Sequence, residues 1–356
     1  MRTGGTLALR STHPQGRPRA PLAGAWLLVL ALAAFAAACS PVVRGPGLPL
    51  SEPVLAEAAI VAPDGMRLPL HRWMPAGEPR AVILALHGFN DYGNAFDAPA
   101  RYWAERGIAT YAYDQRGFGA APGPGYWHGM DALVDDARTA AGLLRARHPG
   151  VPLVLLGESM GGAVAMLALT REGPPVADRV VLAAPAVWGW SSMPFGYRAS
   201  LWLAAHLLPG MRLSGEGLEV QASDNVPMLI ALGRDPLVIK ETRVDALYGL
   251  VRLMDAADRA ATAPRPAVPL LVLCGQRDEI VPLEATQDFL RRLAGPRRVA
   301  AYVQGWHMLL RDLQAAVVYE DVLAWLGDAE APLPSGADGQ PAHDLVAGLG
   351  HATGNP

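Results

Sequence analysis

The sequence predicts an α/β fold in which a mostly parallel sheet carries helices on both faces and a helical cap is inserted above it. Three observations predict it. Six short apolar runs bounded by turn residues recur along the chain, at 81–88 (AVILALHG), 108–114 (IATYAYD), 151–157 (VPLVLLG), 179–185 (RVVLAAP), 268–275 (VPLLVLCG) and 298–305 (RVAAYVQG). They show no polar alternation, which is the pattern of strands covered on both faces. Segments with helical spacing lie between them, at 96–107, 130–148 and 285–295, and strands alternating with helices give a parallel sheet. The rhythm breaks over 186–265, where helical periodicity continues without a buried-strand run, as an inserted helical cap requires.

The elements follow in order. Arg2, Arg10, Arg17 and Arg19 precede the apolar run LAGAWLLVLALAAFAAA, with no acidic residue before Glu52, so residues 1–38 read as an export signal. The run ends in Ala36-Ala37-Ala38 directly before Cys39 and in this resembles a bacterial lipoprotein signal, which implies lipidation of Cys39 and anchoring in a bacterial cell envelope. A plain secretory signal cut nearby and an uncleaved anchor are the alternatives, and the 17-residue run is short beside the ~20 residues that span a bilayer. Residues 39–57, rich in Pro, Gly and Ser, read as a tether. Residues 58–185 and 266–328 read as the two parts of the core, 186–265 as the cap, and 329–356 as a disordered tail.

Composition narrows the function. Half the residues are apolar, and 30 basic against 33 acidic residues leave a net charge of -3 dispersed along the chain, which argues against a nucleic-acid partner. Two cysteines, Cys39 and Cys274, make no disulfide framework. The histidines and carboxylates lack paired metal-ligand spacing, so no metal and no cofactor is expected.

The chemistry concentrates at Gly157-Glu158-Ser159-Met160-Gly161, where an apolar strand becomes an apolar helix. A reactive serine held on so tight a turn crowds its neighbours, and glycines on either side relieve the crowding. Ser159 is the candidate nucleophile, and the backbone N–H of Met160, at the start of the helix, is half of a candidate oxyanion hole. A serine hydroxyl needs an imidazole base oriented by a carboxylate. Of the histidines after the cap, His343 and His351 lie in the tail, which leaves His307 in QGWHMLLRD as the base. Asp278, just past the strand 268–275, is the candidate acid, with Glu279 its nearest rival; Asp245, Asp255, Asp258 and Asp288 read as solvated or capping groups. The N–H of Phe89, in His87-Gly88-Phe89-Asn90, is the second oxyanion donor expected, while His87 itself reads as a histidine packed at a strand end.

These residues, with Asp114-Gln115-Arg116-Gly117-Phe118-Gly119, Asp235-Pro236-Leu237 and Gly275-Gln276-Arg277-Asp278, resemble the α/β-hydrolases of the monoacylglycerol lipase and lysophospholipase group, close to the serine aminopeptidase S33 superfamily. The resemblance spans about residues 58–327. It implies an eight-stranded core, a helical cap, and hydrolysis of a small acyl ester through an acyl-enzyme, with Ser159, Asp278 and His307 as the triad. Two departures stand out: Glu158 where the group often carries His, and Ala120-Ala121-Pro122-Gly123 where it often carries Ser after the glycine turn. Trp188, Trp190, Met193, Phe195, Trp202, Leu203, Leu207, Leu208 and Met211 would form an apolar roof over an acyl chain, or pack the cap onto the core. Two alternatives stay open. One is an aminopeptidase or acyltransferase on the same machinery, with Glu216, Glu219 or Asp224 holding a substrate ammonium; the other is a non-catalytic envelope protein that kept the fold.

Overall fold

The computed structural model describes Met1, residues 40–215, 217 and 219–339. The chain divides after Ser40, and the unit that begins at Pro41 holds all the architecture below. The export signal, Cys39, Glu216, His343 and His351 lie outside the described residues.

Each of the six apolar runs contains one strand of a single sheet. These are β4 (Ala81–Leu86), β5 (Ile108–Tyr113), β6 (Leu153–Glu158), β7 (Arg179–Ala183), β10 (Leu270–Gly275) and β11 (Arg298–Tyr302). All six pair in parallel. Every residue of β4, β5, β6 and β10 is buried, which is why these strands carry no polar alternation. Three more strands, β1 (Val54–Leu55), β2 (Ala59–Val61) and β3 (Arg67–Trp73), extend the β5 edge in antiparallel fashion. The order is β1-β2-β3-β5-β4-β6-β7-β10-β11. Nine strands stand where eight were expected, the two-residue β1 being the addition.

Side chains alternate between two cores, as the period of two in a strand dictates. Val82, Leu84 and Leu86 of β4 face one layer with α2 (Met130–Arg147), α3 (Met160–Thr170) and α6 (Val244–Arg259); Ala81, Ile83 and Ala85 face the other, with α1 (Asp97–Ala104) and α8 (Ala315–Gly327). Trp103 and Trp325 are buried in that second layer. Each buried Leu, Ile or Val contributes roughly 1.5–3 kcal/mol relative to exposure. Because the six strands run in register, their C-terminal ends share one edge of the sheet. The chain then leaves β4 at His87, β6 at Ser159, β10 after Gly275 and β11 after Tyr302, and the loops that follow carry Asp278 and His307, so sequence-distant residues meet at that edge.

Between β7 and β10 lie α4 (Phe195–Leu207), α5 (Val226–Arg234) and α6, with α7 (Leu283–Arg292) following in the core. A short antiparallel pair, β8 (Arg212–Ser214) with β9 (Glu241–Arg243), accompanies the cap helices, although no strand was expected there. Leu213 is its one apolar residue and none of the six is buried, so they offered no apolar run to read.

Two segments depart from the sequence reading. Residues 41–53, read as tether, lie along the core: the Arg44 N–H donates to the Trp127 carbonyl at 2.8 Å, the Arg44 guanidinium covers the Tyr126 ring at 3.3 Å, and the Leu50 N–H donates to the Pro63 carbonyl at 2.7 Å. An extended chain leaves its N–H groups unpaired, and here the core supplies acceptors. Residues 329–339, read as the start of a disordered tail, also pack. Leu333 is buried, Asp338 pairs with Arg298 at 3.1 Å, and the Ser335 N–H donates to Asp321 at 3.0 Å. Buried Leu333 and two carboxylate contacts hold this stretch.

Candidate active site

Ser159 sits between β6 and α3 with φ +52°, a conformation costly for a residue with a Cβ, on the order of 1–3 kcal/mol. The surroundings hold it there. The Ser159 N–H donates to the Ala183 carbonyl at 2.9 Å, and the Ser159 carbonyl accepts from Ala163 and Ala186 at 3.1 and 3.0 Å. A Cβ at Gly157 would lie 2.2 Å from the Gly161 oxygen, and one at Gly161 would lie 2.0 Å from the Leu86 oxygen. Only glycine fits at either position, as the crowding at such a turn requires.

His307 Nε2 lies 2.9 Å from Ser159 Oγ, and His307 Nδ1 lies 2.8 Å from Asp278 Oδ2. The carboxylate only accepts, so Nδ1 carries the proton and Nε2 is free to accept from the serine hydroxyl. The other oxygen of Asp278 accepts the N–H groups of Ile280 and Val281 at 2.8 and 3.0 Å, which fixes the carboxylate on its turn. Glu279 points elsewhere, accepting from the Gln221 N–H at 2.8 Å. The loops after β10 and β11 touch backbone to backbone, since a Cβ at Gly275 would lie 2.5 Å from the oxygens of Gly305 and Trp306. Burial pushes the His307 pKa down, but the charge of Asp278, its hydrogen bond and the charge of Glu158 outweigh burial and leave the pKa above its ordinary value.

His87 is buried, and its tautomer follows from its partners. Nε2 accepts the Gln115 N–H at 2.9 Å, so Nδ1 carries the proton and donates to the Gly88 carbonyl at 2.8 Å. Burial lowers its pKa and keeps it neutral. The Gly88 carbonyl and the Phe89 N–H are the two ends of one peptide plane, so His87 orients the expected oxyanion donor. That loop runs past the serine: a Cβ at Gly88 would lie 3.5 Å from Ser159 Cβ. Met160 is the first residue of α3, so its N–H is one of those a helix start leaves without an intrahelical acceptor.

Ser159 and His307 open into a cavity of about 360 Å³. Its apolar walls include Phe89, Trp188, Met193, Leu247, Leu250, Val251, Met254, Ile280, Val281 and Met308. Of the nine residues read as an apolar roof, only Trp188 and Met193 are on these walls. Phe195, Trp202, Leu203, Leu207, Leu208 and Met211 are exposed on the cap surface, and Trp190 packs edge-on against Tyr248. Helix α6 supplies the roof instead, because it is the cap helix with a buried apolar face. Cys274 is buried in β10, where burial pushes its thiol up to about 12 and leaves it neutral. Among the described residues no cluster of three or more His, Cys, Asp or Glu is arranged to hold a metal.

The model of the Hydrolase_4 family, described as serine aminopeptidase, S33, matches residues 77–314. The chain belongs to this family. This S33-family hydrolase is 27% identical over 277 residues to a monoacylglycerol lipase of Mycolicibacterium smegmatis, covering 76% of this chain and 96% of that protein. It is 26% identical over 281 residues to the human monoglyceride lipase, covering 76% and 90% of the two chains. Among solved structures, a soluble variant of the monoglyceride lipase from Saccharomyces cerevisiae, in complex with a substrate analog, aligns with a TM-score of 0.65 at 17% identity, over 81% of this chain and 97% of that one. The monoacylglycerol lipase of Paleococcus ferrophilus aligns with a TM-score of 0.62 at 22% identity, over 73% and 98%. Both structural likenesses show the α/β-hydrolase fold.

One feature of the S33-family site was missed by sequence reasoning. Arg311, four residues after His307, is nearly buried and reaches Asp91 at 2.7 Å and Glu158 at 3.2 Å. It joins the loop after β4, the serine turn and the loop after β11. Asp91, Glu158 and Arg311 all border the cavity. The available signal was a charged residue placed directly after the apolar Met308-Leu309-Leu310. Of the cap carboxylates suggested for an ammonium, the two among the described residues do not join Trp188 and Met193 at the cavity: Glu219 is exposed, and Asp224 accepts from the Leu313 N–H at 2.9 Å.

Proposed function

We propose that this S33-family hydrolase cleaves monoacylglycerol-like or lysophospholipid-like carboxylic esters through an acyl-enzyme on Ser159. The observation that carries the reading is the chain of two hydrogen bonds, 2.9 and 2.8 Å, from Ser159 through His307 to Asp278 at the wall of an apolar cavity. Ser159 Oγ attacks the ester carbonyl while His307 Nε2 takes its proton, and Asp278 stabilises the imidazolium. The N–H groups of Phe89 and Met160 receive the oxyanion. Collapse breaks the bond to the alcohol, which leaves with the proton from His307. Water then repeats the sequence on the acyl-enzyme and releases the acid.

An apolar cavity favours a long acyl chain, because each buried methylene contributes about 0.8 kcal/mol. The relatives named monoacylglycerol lipase support the same substrate class. An aminopeptidase would hold a substrate ammonium, and of the cap carboxylates suggested for it the two among the described residues, Asp224 and Glu219, do not border the cavity. The test is turnover of a chain-length series of glycerol monoesters beside an aminoacyl amide. Ser159→Ala lowers kcat on the esters by roughly 10⁶ with the melting temperature retained. Ester turnover that survives this substitution, or faster turnover of the amide, overturns the proposal.

We also infer export and anchoring at a bacterial membrane through lipid on Cys39. The basic and apolar run before Cys39 supports it, as does the apolar cap surface at Phe195, Trp202, Leu203, Leu207 and Leu208. Palmitate labelling of the expressed full chain, lost in Cys39→Ser, is the expected result; an unlabelled parent chain contradicts it.

A further inference from the structure

His307 lies in residues 303–314, a connection after β11 without helix or strand, yet its imidazole keeps two hydrogen bonds that tolerate little movement. The N–H groups on either side of it are both fixed. The Trp306 N–H donates to Asp312 Oδ2 at 2.8 Å, and the Met308 N–H donates to the Ala222 carbonyl at 3.0 Å. Asp312 is in turn held by the cap. Its Oδ1 accepts the hydroxyl of Ser223 at 2.6 Å, and Ser223 is fully buried and directly follows Ala222.

Each residue of the cap stretch 221–225, between β8 and α5, makes a link of this kind. The Gln221 N–H donates to Glu279 at 2.8 Å, next to the triad acid Asp278. Asp224 accepts the Leu313 N–H at 2.9 Å. Asn225 Nδ2 donates to the Arg311 carbonyl at 2.9 Å, while its Oδ1 accepts the Met228 N–H at the start of α5. A connection with no ladder of its own needs acceptors from elsewhere, and the cap stretch supplies them. Ala222 and Met308 border the cavity beside Ser159 and His307. A displacement of Ala222 and Ser223 therefore reaches the imidazole from both sides, through Met308 and, by way of Asp312, through Trp306.

Resting on the ester-hydrolase reading above, we propose that Ser223 and Asp312 are positioning residues for His307, and that residues 221–225 form a clasp which makes the seating of the cap and the alignment of the base one event. Neither side chain borders the serine cavity. Ser223 acts through Asp312, and Asp312 acts through the Trp306 N–H.

The experiment measures kcat and KM for p-nitrophenyl butyrate, together with the low-field proton resonance of His307 Nδ1–H, in the parent protein, Ser223→Ala, Asp312→Ala and Asp312→Asn. All are read well below their melting temperatures, and the resonance is identified by its loss in His307→Ala. Asp312→Ala frees the Trp306 N–H and lowers kcat by about 10², as a misplaced catalytic group does. Ser223→Ala leaves Asp312 unheld by the cap and lowers kcat by about tenfold. In both, KM changes by less than about threefold, the mark of a group that acts in the transition state, and the resonance broadens by exchange with water. Asp312→Asn keeps an acceptor for Trp306 and a partner for Ser223, and retains kcat within about threefold of the parent. Ser223→Ala carries the test if Asp312→Ala does not fold. A merely structural contact lowers the melting temperature alone, so a parent-like kcat or a parent-like resonance in Ser223→Ala overturns the proposal, as does a loss in Asp312→Asn equal to that in Asp312→Ala. A parent without ester turnover contradicts the ester reading itself, while the resonance still tests the clasp.

Discussion

Replacing Asp278 by asparagine removes one charge and almost no volume, yet the geometry around that side chain makes it a severe change. One carboxylate oxygen of Asp278 accepts two backbone N–H groups, from Ile280 at 2.8 Å and Val281 at 3.0 Å. In Asp278→Asn the amide oxygen must stay on those donors, which turns the NH₂ group toward His307 Nδ1, now 2.8 Å from the carboxylate. Two donors cannot face each other, so the imidazole takes the tautomer with its proton on Nε2, the nitrogen 2.9 Å from Ser159 Oγ. The serine then has no base. A triad with the wrong histidine tautomer loses about 10⁴ in kcat, or roughly 5.4 kcal/mol at 1.36 kcal/mol per tenfold. The assay is hydrolysis of p-nitrophenyl butyrate with melting temperatures measured in parallel. Glu279→Gln is the control, because Glu279 accepts from Gln221 and not from His307, and it retains the parent rate. A kcat for Asp278→Asn within tenfold of the parent, at an unchanged melting temperature, refutes the reasoning.

Other expectations follow from the same contacts. His307 must be neutral to act as base and its pKa is raised, so kcat/KM climbs with pH through an ionisation above the ordinary histidine value of about 6.5; a pH profile with its acid limb below that value contradicts it. Gly161→Ala drives a Cβ to 2.0 Å from the Leu86 oxygen and costs on the order of 1–3 kcal/mol or more, lowering both melting temperature and activity. Gly142→Ala, at an open position in α2, instead gains about 0.5–1 kcal/mol, and thermal denaturation of the two variants reads the contrast. His87→Leu frees the Gly88–Phe89 peptide and lowers kcat by roughly 10², with KM little changed in steady-state assays.

The parallel strands were legible because burial on both faces leaves a continuous apolar run, as in β4 and β10. β3 (RLPLHRW) was not, since it carries two arginines and a histidine and only Leu68 of its seven residues is buried. The convergence of Ser159, Asp278 and His307 was legible because each lies in the connection that follows a parallel strand, and parallel strands end on one edge. Arg311 was not, because its partners Asp91 and Glu158 are 220 and 153 positions away along the chain and meet it only when three loops assemble. The cavity roof was misassigned for a related reason. Composition marks Trp202 and the leucines of α4 as apolar, but only the packed structure distinguishes the exposed face of α4 from the inward face of α6.

The measurement closest to the central claim is mass spectrometry of the protein after treatment with a fluorophosphonate, which reacts with a serine only when a neighbouring base activates it. One adduct is expected, on the peptide that carries Ser159, and it disappears after heat denaturation and in His307→Ala. An unlabelled folded protein, or an adduct on a different residue, contradicts the assignment of Ser159 as nucleophile.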